Sequence, residues 1–383
     1  MGYKAQFDGW DSLTIEDLLV AYRKAKADCF FENTFPSAFK FAEYEQKLIT
    51  NLKKLLVRLQ EQNGFEKDKA FLGDFRLLPK KLSTDKKDKS SSNGHVHFSN
   101  PERAADHLFK NYHVVPEFRI VGDFPVEAHI ISALWINTIG HKVDEKLDDC
   151  CYGARLKRVK NDDMFSDEEE KPFHISSIGS FCPYFQPYQK WRGDGLKSIR
   201  DELEKNRDVI AVSLDLKSYY HFIDPTALAS PKLLKALALE LSKEEIEFTT
   251  QLSNFLNRWS NEAAKYGKGI GGNDSEISGG LVIGLTASRI ISNALLHCWD
   301  RLVIEKLSPI HYGRYVDDMF LVMRDPGNIF NSNDSWRYCR AESERNVFIL
   351  TRAIPLLGTF SKVKKFKVIL KYSYSPISKN YFY

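Results

Sequence analysis

The sequence predicts an α+β protein: an antiparallel sheet with packed helices, preceded by a helical extension. Two observations support the sheet. The apolar run Val209–Leu214 ends at Asp215, and two further apolar runs, 310–312 and 319–323, flank Tyr315-Val316-Asp317-Asp318. Apolar runs of this length on either side of a short polar turn are typical of strands joined in a hairpin. The third observation is the helical spacing of apolar residues in the N-terminal part of the chain.

Residues 11–78 are expected to be helical. Phe39–Gln62 repeats the helical spacing over many turns. An earlier apolar set follows Asp11 or Ser12 as N-cap and comprises Leu13, Ile15, Leu18, Leu19 and Tyr22. Lys81–Asn100 is rich in Lys, Ser, Asp and Gly, which indicates a flexible surface linker. We therefore predict a helical N-terminal extension, residues 1–113, that contains this linker.

The central part of the chain alternates strands and helices. Val114–Val121 predicts a strand, and Pro125–His141 predicts an amphipathic helix with proline in its first turn. The acidic stretch Lys160–Pro172 is expected to be a solvated loop. Gly195–Lys205 predicts a helix that leads into the strand ending at Asp215.

The part of the chain after Asp215 is predicted to be mainly helical. The pattern indicates a helical region over Pro231–Arg258, a glycine-rich loop over Gly267–Gly280 and a long helix over Leu285–Leu307. After the hairpin that contains Asp317-Asp318, we expect a helix over 335–356 and a short β-hairpin within 366–383.

The composition is that of an ordinary soluble protein: of 383 residues, 43% are hydrophobic and 28% are charged, and the net charge is +4. This charge is compatible with nucleic-acid binding without requiring it. No signal peptide and no apolar stretch of membrane-spanning length is visible. The six cysteines form no CxxC pair, which is typical of reduced thiols. We expect a cytoplasmic location and no membrane partner.

The pair Asp317-Asp318 is the leading candidate for chemistry. Two adjacent carboxylates at the tip of a hairpin repel each other unless a cation compensates, and hard oxygen ligands suit Mg²⁺ or Mn²⁺. Taken alone, an Asp pair in a turn is more often a solvated loop, because turn geometry favours Asp. Asp215, at the end of another predicted strand, supplies a third carboxylate in a similar setting.

The order of these features is that of a polymerase palm: a strand ending in Asp, then a glycine-rich loop with a helix, then a hairpin with Asp-Asp. In nucleotidyl transfer, charge develops on the entering and leaving oxygens of the phosphate, and two Mg²⁺ ions about 3.5–4 Å apart stabilise both. We expect Asp215 and Asp317 to bridge the ions and Asp318 to make a looser contact.

Several motifs resemble those of reverse transcriptases, in the same order, along residues 114–375. Asp215–Asp224 resembles the first catalytic motif of the family, and Tyr315–Asp318 resembles the second. Upstream, Tyr152–Arg155 is similar to the Tyr-Gly-x-Arg element of bacterial and group II intron-like enzymes. Phe118–Ile120 resembles the fingers strand whose basic residue meets the triphosphate.

The glycine-rich motif of the family is matched in spacing by Gly280–Gly284, followed by Ser288 and Asn293. The chain departs from the family pattern by having Val282 and Ile283 where Pro and Gln are common, and Arg289 where Pro often follows the Ser. In the family this segment lies beside the templating base and the incoming nucleotide. The departures therefore bear on how a template is handled.

The resemblance implies a right-hand polymerase fold and an RNA-directed DNA polymerase that uses dNTPs. It places the fingers at 114–206, the palm at 207–365 and a primer-grip-like hairpin at 366–383, with the thumb absent or truncated. The implied cofactor is Mg²⁺, or Mn²⁺, and the implied metal ligands are Asp215, Leu216, Asp317 and Asp318.

The same resemblance assigns substrate contacts. The ring of Tyr220 would close the pocket under the sugar 2′ position and favour deoxynucleotides. Either tyrosine is also explained as a core aromatic beside a strand end, which is what we expect for Tyr219. Arg119 and Arg155 are candidates for the β- and γ-phosphates, and either is equally explained as a structural ion-pair partner. One of three lysines would protonate the leaving pyrophosphate: Lys362, Lys364 or Lys365. The remaining assigned contacts are Leu216, Gly280 and Gly284.

An aromatic group upstream is compatible with stacking on single-stranded nucleic acid, although such groups are more often core. It comprises Tyr184, Phe185, Tyr188 and Trp191, with Arg192 beside it. The segment Pro183–Arg192, the altered glycine motif and the N-terminal extension are similar to bacterial defence-associated, abortive-infection-type reverse transcriptases. That branch implies a template or primer nucleic acid, in some members a noncoding RNA, and a partner polymerase or a second copy. Template-independent or protein-primed synthesis, and a catalytically silent nucleic-acid-binding palm, are the alternatives.

Overall fold

The structure is a computed structural model, and the residues it describes form an α+β fold with helices around two antiparallel sheets. This architecture confirms the α+β class predicted from the sequence. The described residues are 6–31, 37–84, 100, 102, 103, 106, 109, 110, 114–159, 172–216, 219–268, 280–325 and 366–372.

The N-terminal part is helical, as predicted. A 3-10 turn at Trp10–Ser12 precedes α1 (Ile15–Phe30), α2 (Ala38–Glu45) and α3 (Leu48–Glu61). The cap of α1 is Thr14 and not Asp11 or Ser12, because those two residues lie in the separate 3-10 turn. Thr14 and Asp17 form a capping box, in which each side chain accepts a hydrogen bond from the main-chain N–H of the other.

The first sheet contains a strand that was not predicted from the sequence. Strand β1 (Asp74–Thr84) pairs antiparallel with β2 (Val114–Asp123), which was predicted. The prediction that the helical region extends to residue 78 and that a linker starts at residue 81 is therefore wrong. Half-buried Phe75 and Leu77 lie on either side of exposed Arg76, which is the strand period, and a register shift at Pro79 accommodates its missing donor.

The predicted helix after β2 is present, but it is not amphipathic. Helix α4 (Val126–Trp135) continues through a π-helical turn, Ile136–Gly140, into α5 (His141–Glu145). Every residue over 128–140 is buried. A helix that is buried on all sides lies in the centre of a fold and does not cover its surface.

The second sheet is central to the fold and has the strand order β4-β5-β3-β6, with all neighbours antiparallel. Its strands are β3 (Val209–Asp215), β4 (His311–Tyr315), β5 (Asp318–Arg324) and β6 (Phe366–Tyr372). The predicted hairpin β4–β5 and the strand ending at Asp215 are confirmed. One face joins the main core through Val212 and Leu321. The other face, with Ala211, contacts α6 (Phe185–Glu204), a helix that begins at Phe185 and not at Gly195.

The remaining helices lie between β3 and β4: α7 (Tyr219–Phe222), α8 (Pro231–Ala236), α9 (Lys243–Lys268), α10 (Ala287–Leu295) and α11 (His297–Leu302), the last extended by a π-helical turn at Val303–Leu307. The predicted helical region 231–258 is interrupted, because Ser242 and Glu245 form a new capping box at the start of α9. Among the described residues, no helix has the length and apolar character needed to cross a membrane. The predicted helix 335–356 lies outside the described residues, as does most of the predicted loops 160–172 and 267–280.

Candidate active site

The three predicted carboxylates meet at one end of the central sheet. Asp215 ends β3, Asp318 begins β5, and Asp317 lies in the turn between β4 and β5. Asp215 is directly opposite Asp318 in the antiparallel register, so both side chains leave the same face of the sheet. The main chain is joined here as well, because the Leu216 N–H donates to the Asp317 carbonyl at 3.3 Å.

Nearby positive charge does not fully compensate the negative charge of the three carboxylates. Burial, followed by the negative charges of Asp318 and Asp215, raises the pKa of Asp317 to about 6, and the positive charge of Arg119 opposes this rise. Burial and the charge of Asp215 also raise the pKa of Asp318. Both shifts mean that the ionised form is disfavoured in the protein alone. A cation at this end of the sheet would relieve that cost.

The donor chemistry of the site fits a divalent ion, because carboxylate oxygens are the ligands that Mg²⁺ and Mn²⁺ prefer. Within the part of the chain that the structure describes, however, no group of three His, Cys, Asp or Glu side chains is arranged as a ready metal site.

The backbone of the turn is strained. Val316 has φ of 58°, in the left-handed region that a β-branched residue rarely adopts. Arg314 opposes this strain, since its Nη1 donates to the Val316 carbonyl at 2.8 Å and to Asn293 Oδ1 at 2.9 Å. The side chain that fixes the turn thus comes from the strand leading into it.

Arg314 is itself held by a buried acid. It has no exposed surface, and its Nη2 and Nε lie 2.6 and 2.8 Å from the two carboxylate oxygens of Asp300 on α11. The Tyr312 hydroxyl donates to the same carboxylate at 2.6 Å. This network was not predicted from the sequence. The local sequence gives no signal for it, because Arg314 and Asp300 lie on a strand and on a separate helix and each resembles a surface charge.

The Tyr152–Arg155 segment packs directly against the turn. A Cβ on Gly153 would lie 2.8 Å from the Val316 nitrogen, so the approach requires glycine. The Tyr152 N–H donates to the Arg314 carbonyl at 2.8 Å, and Asn293 Nδ2 donates to the Gly153 carbonyl at 2.8 Å. The segment therefore supports the turn through its main chain.

Arg155, the last residue of this segment, makes structural contacts. Its Nε lies 3.0 Å from Asp144 Oδ1, and its other nitrogens donate to the main-chain carbonyls of Asp144, Asp148 and Cys151. These bonds engage every nitrogen of the guanidinium group. The arrangement corresponds to the ion-pair alternative that the sequence left open.

The glycine motif lies between β2 and Tyr220. Gly284 has φ of 112°, and a Cβ on it would lie 2.7 Å from the Gly122 carbonyl of β2, whose N–H donates to the Ile283 carbonyl at 2.8 Å. Buried Gly280 precedes Leu281, whose N–H donates to the Tyr220 carbonyl at 2.6 Å. The motif thus joins the strand that contains Arg119, which is exposed, to the segment after Asp215.

The two tyrosines after Asp215 differ in burial. Tyr219 is buried and its hydroxyl donates to the Ser292 carbonyl at 2.6 Å, in keeping with its prediction as a core aromatic. Tyr220 is half-buried, with its hydroxyl 3.1 Å from Ser292 Oγ. Burial raises the pKa of Tyr220 to about 12, and the negative charge of Asp317 adds to this rise. Tyr220 is therefore within electrostatic reach of Asp317.

Three rings of the upstream aromatic group, Tyr184, Tyr188 and Trp191, pack around Tyr315, next to the carboxylates. The centroids of the Tyr184 and Tyr188 rings lie 5.6 and 5.4 Å from that of Tyr315. Trp191 is buried and belongs to the core, whereas Tyr184 and Phe185 are each 63% exposed. The group is thus partly core and partly an open aromatic surface.

Among the predicted site residues, Lys364 lies outside the described part of the chain, as do Lys362 and Lys365. No protein-family model matches the chain, and no curated protein is significantly similar to it.

Proposed function

We propose that the protein is a reverse-transcriptase-type DNA polymerase that joins dNTPs to a primer 3′-hydroxyl by metal-dependent nucleotidyl transfer. The observation that supports this most directly is the meeting of Asp215, Asp317 and Asp318 at one end of an antiparallel sheet. The raised pKa values of Asp317 and Asp318 indicate a site in need of cations. Exposed Arg119, whose charge acts on Asp317, adds a group suited to phosphate.

In this proposal the three carboxylates, with Leu216 beside them, hold Mg²⁺ or Mn²⁺. When bound, these ions supply positive charge to the entering and leaving oxygens of phosphoryl transfer. Arg119 binds the triphosphate, and the glycine motif sets the position of β2 relative to Tyr220. The Tyr220 ring lies under the sugar and excludes a 2′-hydroxyl. Four of the five N–H donors of Arg155 bond to the Asp144 carboxylate and to main-chain carbonyls, so we assign Arg155 a structural role.

A primer or template is the proposed macromolecular partner. Tyr184 exposes its aromatic ring beside Tyr315, and the next residue, Phe185, is equally exposed. Aromatic rings stack on bases with little regard to sequence. Lys190 and Arg192 are exposed on the same helix, α6, and offer positive charge to a phosphate backbone. By its resemblance to the defence-associated branch, we propose that synthesis serves antiphage defence in the bacterial cytoplasm.

Synthesis without a template is the second candidate. Ile283 stands where a glutamine is common in the family, and its side chain offers no hydrogen bond to a nucleotide or template base. The Val282 side chain is buried and cannot contact a template. A site with these residues retains the proposed metal and sugar contacts, but these two side chains make no hydrogen bond to a template base.

Primer extension by the full-length protein tests both candidates. The protein is given Mg²⁺ or Mn²⁺, all four dNTPs and a DNA primer, with or without an annealed RNA template, and the products are sequenced. We expect extension by the parent and none by the double variant Asp317→Asn with Asp318→Asn. Asp201→Asn, which changes a half-exposed carboxylate of α6, is the matched control. Equal extension by parent and double variant would refute the catalytic role, and products that ignore the template would establish the second candidate.

A further inference from the structure

We infer that Ser292 is a positioning residue that sets sugar selectivity, because its hydroxyl fixes the Tyr220 ring in the place where it excludes a ribose 2′-hydroxyl. The inference rests on the proposed function and assigns a new role to a residue on α10. Ser292 has no exposed surface, so it acts through Tyr220 and does not touch the substrate.

The hydrogen bonds of Ser292 have a defined direction. Its Oγ donates to the Arg289 carbonyl at 2.8 Å, and it lies 3.1 Å from the Tyr220 hydroxyl. A serine hydroxyl has a single proton to donate. Since the Arg289 carbonyl takes that proton, the Tyr220 hydroxyl must donate to Ser292 Oγ. The phenol proton thus points into α10 and away from the nucleotide pocket.

Tyr220 is held at both of its ends. Its main-chain carbonyl accepts from the Leu281 N–H at 2.6 Å, and its hydroxyl is bound to Ser292. The Ser292 carbonyl also accepts from the Tyr219 hydroxyl at 2.6 Å, which fixes the preceding residue to the same point of α10. A tyrosine side chain has only two rotatable bonds before its ring. Once the hydroxyl is anchored, the ring can therefore adopt only one position against the sugar.

Loss of the anchor should change selectivity more than chemistry. Ser292 makes no hydrogen bond to Asp215, Asp317 or Asp318 in the described structure. A free Tyr220 ring would retain its bulk but move aside for a 2′-hydroxyl. We therefore expect the Ser292→Ala variant to accept ATP better relative to dATP, mainly through a lower KM for ATP.

The test compares dATP with ATP in single-nucleotide extension, and measures binding of both nucleotides by calorimetry with Ca²⁺ in place of Mg²⁺. Removing one neutral hydrogen bond should lower the dATP preference about three- to tenfold in Ser292→Ala. Tyr220→Phe, which keeps the ring and loses the hydroxyl, should do the same. Because both changes remove one bond, the double variant should be no less selective than either single variant. Ser253→Ala, a buried serine of α9 whose hydroxyl has no partner among the described residues, should match the parent.

The outcomes separate this inference from the proposed function. Unchanged selectivity in both Ser292→Ala and Tyr220→Phe, or fully additive losses in the double variant, would overturn the role of Ser292 while dATP incorporation by the parent stands. If Ser292→Ala does not fold, Tyr220→Phe alone decides. A parent protein that neither binds nor incorporates dATP would overturn the proposed function, and the inference with it.

Discussion

Asp215 lies directly opposite Asp318, on the neighbouring strands β3 and β5 of the central sheet. Like charges in opposite positions of an antiparallel pair destabilise the sheet. Asp317 adds a third negative charge one residue before Asp318. The three negative charges at this end of the sheet therefore lower the stability of the fold, and this loss of stability can be measured.

Replacing Asp317 with Asn should stabilise the protein at neutral pH in the absence of metal. The pKa of Asp317 is about 6 in the folded protein, against an ordinary value of 3.8, so ionising it above pH 6 costs folding free energy. We expect the free energy of unfolding of the Asp317→Asn variant to exceed that of the parent protein by about 1–3 kcal/mol at pH 7.5. Urea unfolding in the presence of EDTA measures the change.

The pH dependence of this effect has a defined sign. A group whose folded pKa is raised favours the folded state at low pH, so the cost is absent below the ordinary value of 3.8 and complete above about 6. The advantage of Asp317→Asn should grow across that interval. If the difference in unfolding free energy between Asp317→Asn and the parent were the same at all pH values, ionisation of Asp317 would not be its cause. Asp201→Asn is the control, and its difference from the parent should not change over this pH range.

Mg²⁺ or Mn²⁺ should raise the melting temperature of the parent protein. A ligand that binds only the folded state stabilises it by about 2.7 kcal/mol at a concentration one hundred times its Kd. The stabilisation should be much smaller in Asp215→Asn and in Asp317→Asn, because each removes a proposed ligand. Thermal denaturation at constant ionic strength measures it. Equal stabilisation of the parent and both variants would locate the ions elsewhere.

The carboxylates could be predicted from sequence because strand patterns place them at strand ends, and antiparallel pairing then brings strand ends together. The network beneath them could not. Arg314 and Asp300 lie on a strand and a helix, and nothing in either local pattern shows that their side chains meet in the core. Buried ion pairs depend on tertiary approach, and in the sequence each partner resembles an ordinary surface charge.

Replacing Asp300 with Asn should destabilise the protein strongly. It leaves the buried Arg314 charge without its partner, and breaking a buried pair in this way costs about 3–5 kcal/mol. The neighbouring change Arg301→Gln should cost about 1 kcal/mol or less, since Arg301 is exposed and its ion pairs lie at the surface. Chemical denaturation of the two variants gives the comparison. Similar losses in both would show that Arg314 does not depend on Asp300.

Strand β1 and helix α4 show where periodicity fails as evidence. Apolar spacing places residues 74–78 in a helical region, whereas pairing with β2 makes them a strand. In α4, proline and apolar spacing located the helix, but burial on every side was not visible from one stretch of sequence. The structure of both segments depends on partners elsewhere in the chain. Local patterns carry no information about those partners.

The glycine motif provides a last test. Spacing in the sequence locates its glycines, but the need for glycine at position 284 comes from its contact with β2. Gly284→Ala would place a Cβ 2.7 Å from the Gly122 carbonyl at a φ of 112°. We expect a loss of stability on the order of 1–3 kcal/mol and weaker dNTP binding, since β2 would move with Arg119. Gly193→Ala, within α6 and with nothing within 4 Å of the new Cβ, should instead stabilise the protein by up to about 1 kcal/mol.

Urea unfolding and calorimetric dATP binding, measured on both glycine variants, check this prediction. If Gly284→Ala were as stable as Gly193→Ala, the contact between the motif and β2 would not be a requirement of the fold. If Gly284→Ala lost stability but bound dATP as the parent does, Arg119 would not depend on that contact for its position. Only a loss of both supports a motif that joins the strand of Arg119 to the segment that contains Tyr220.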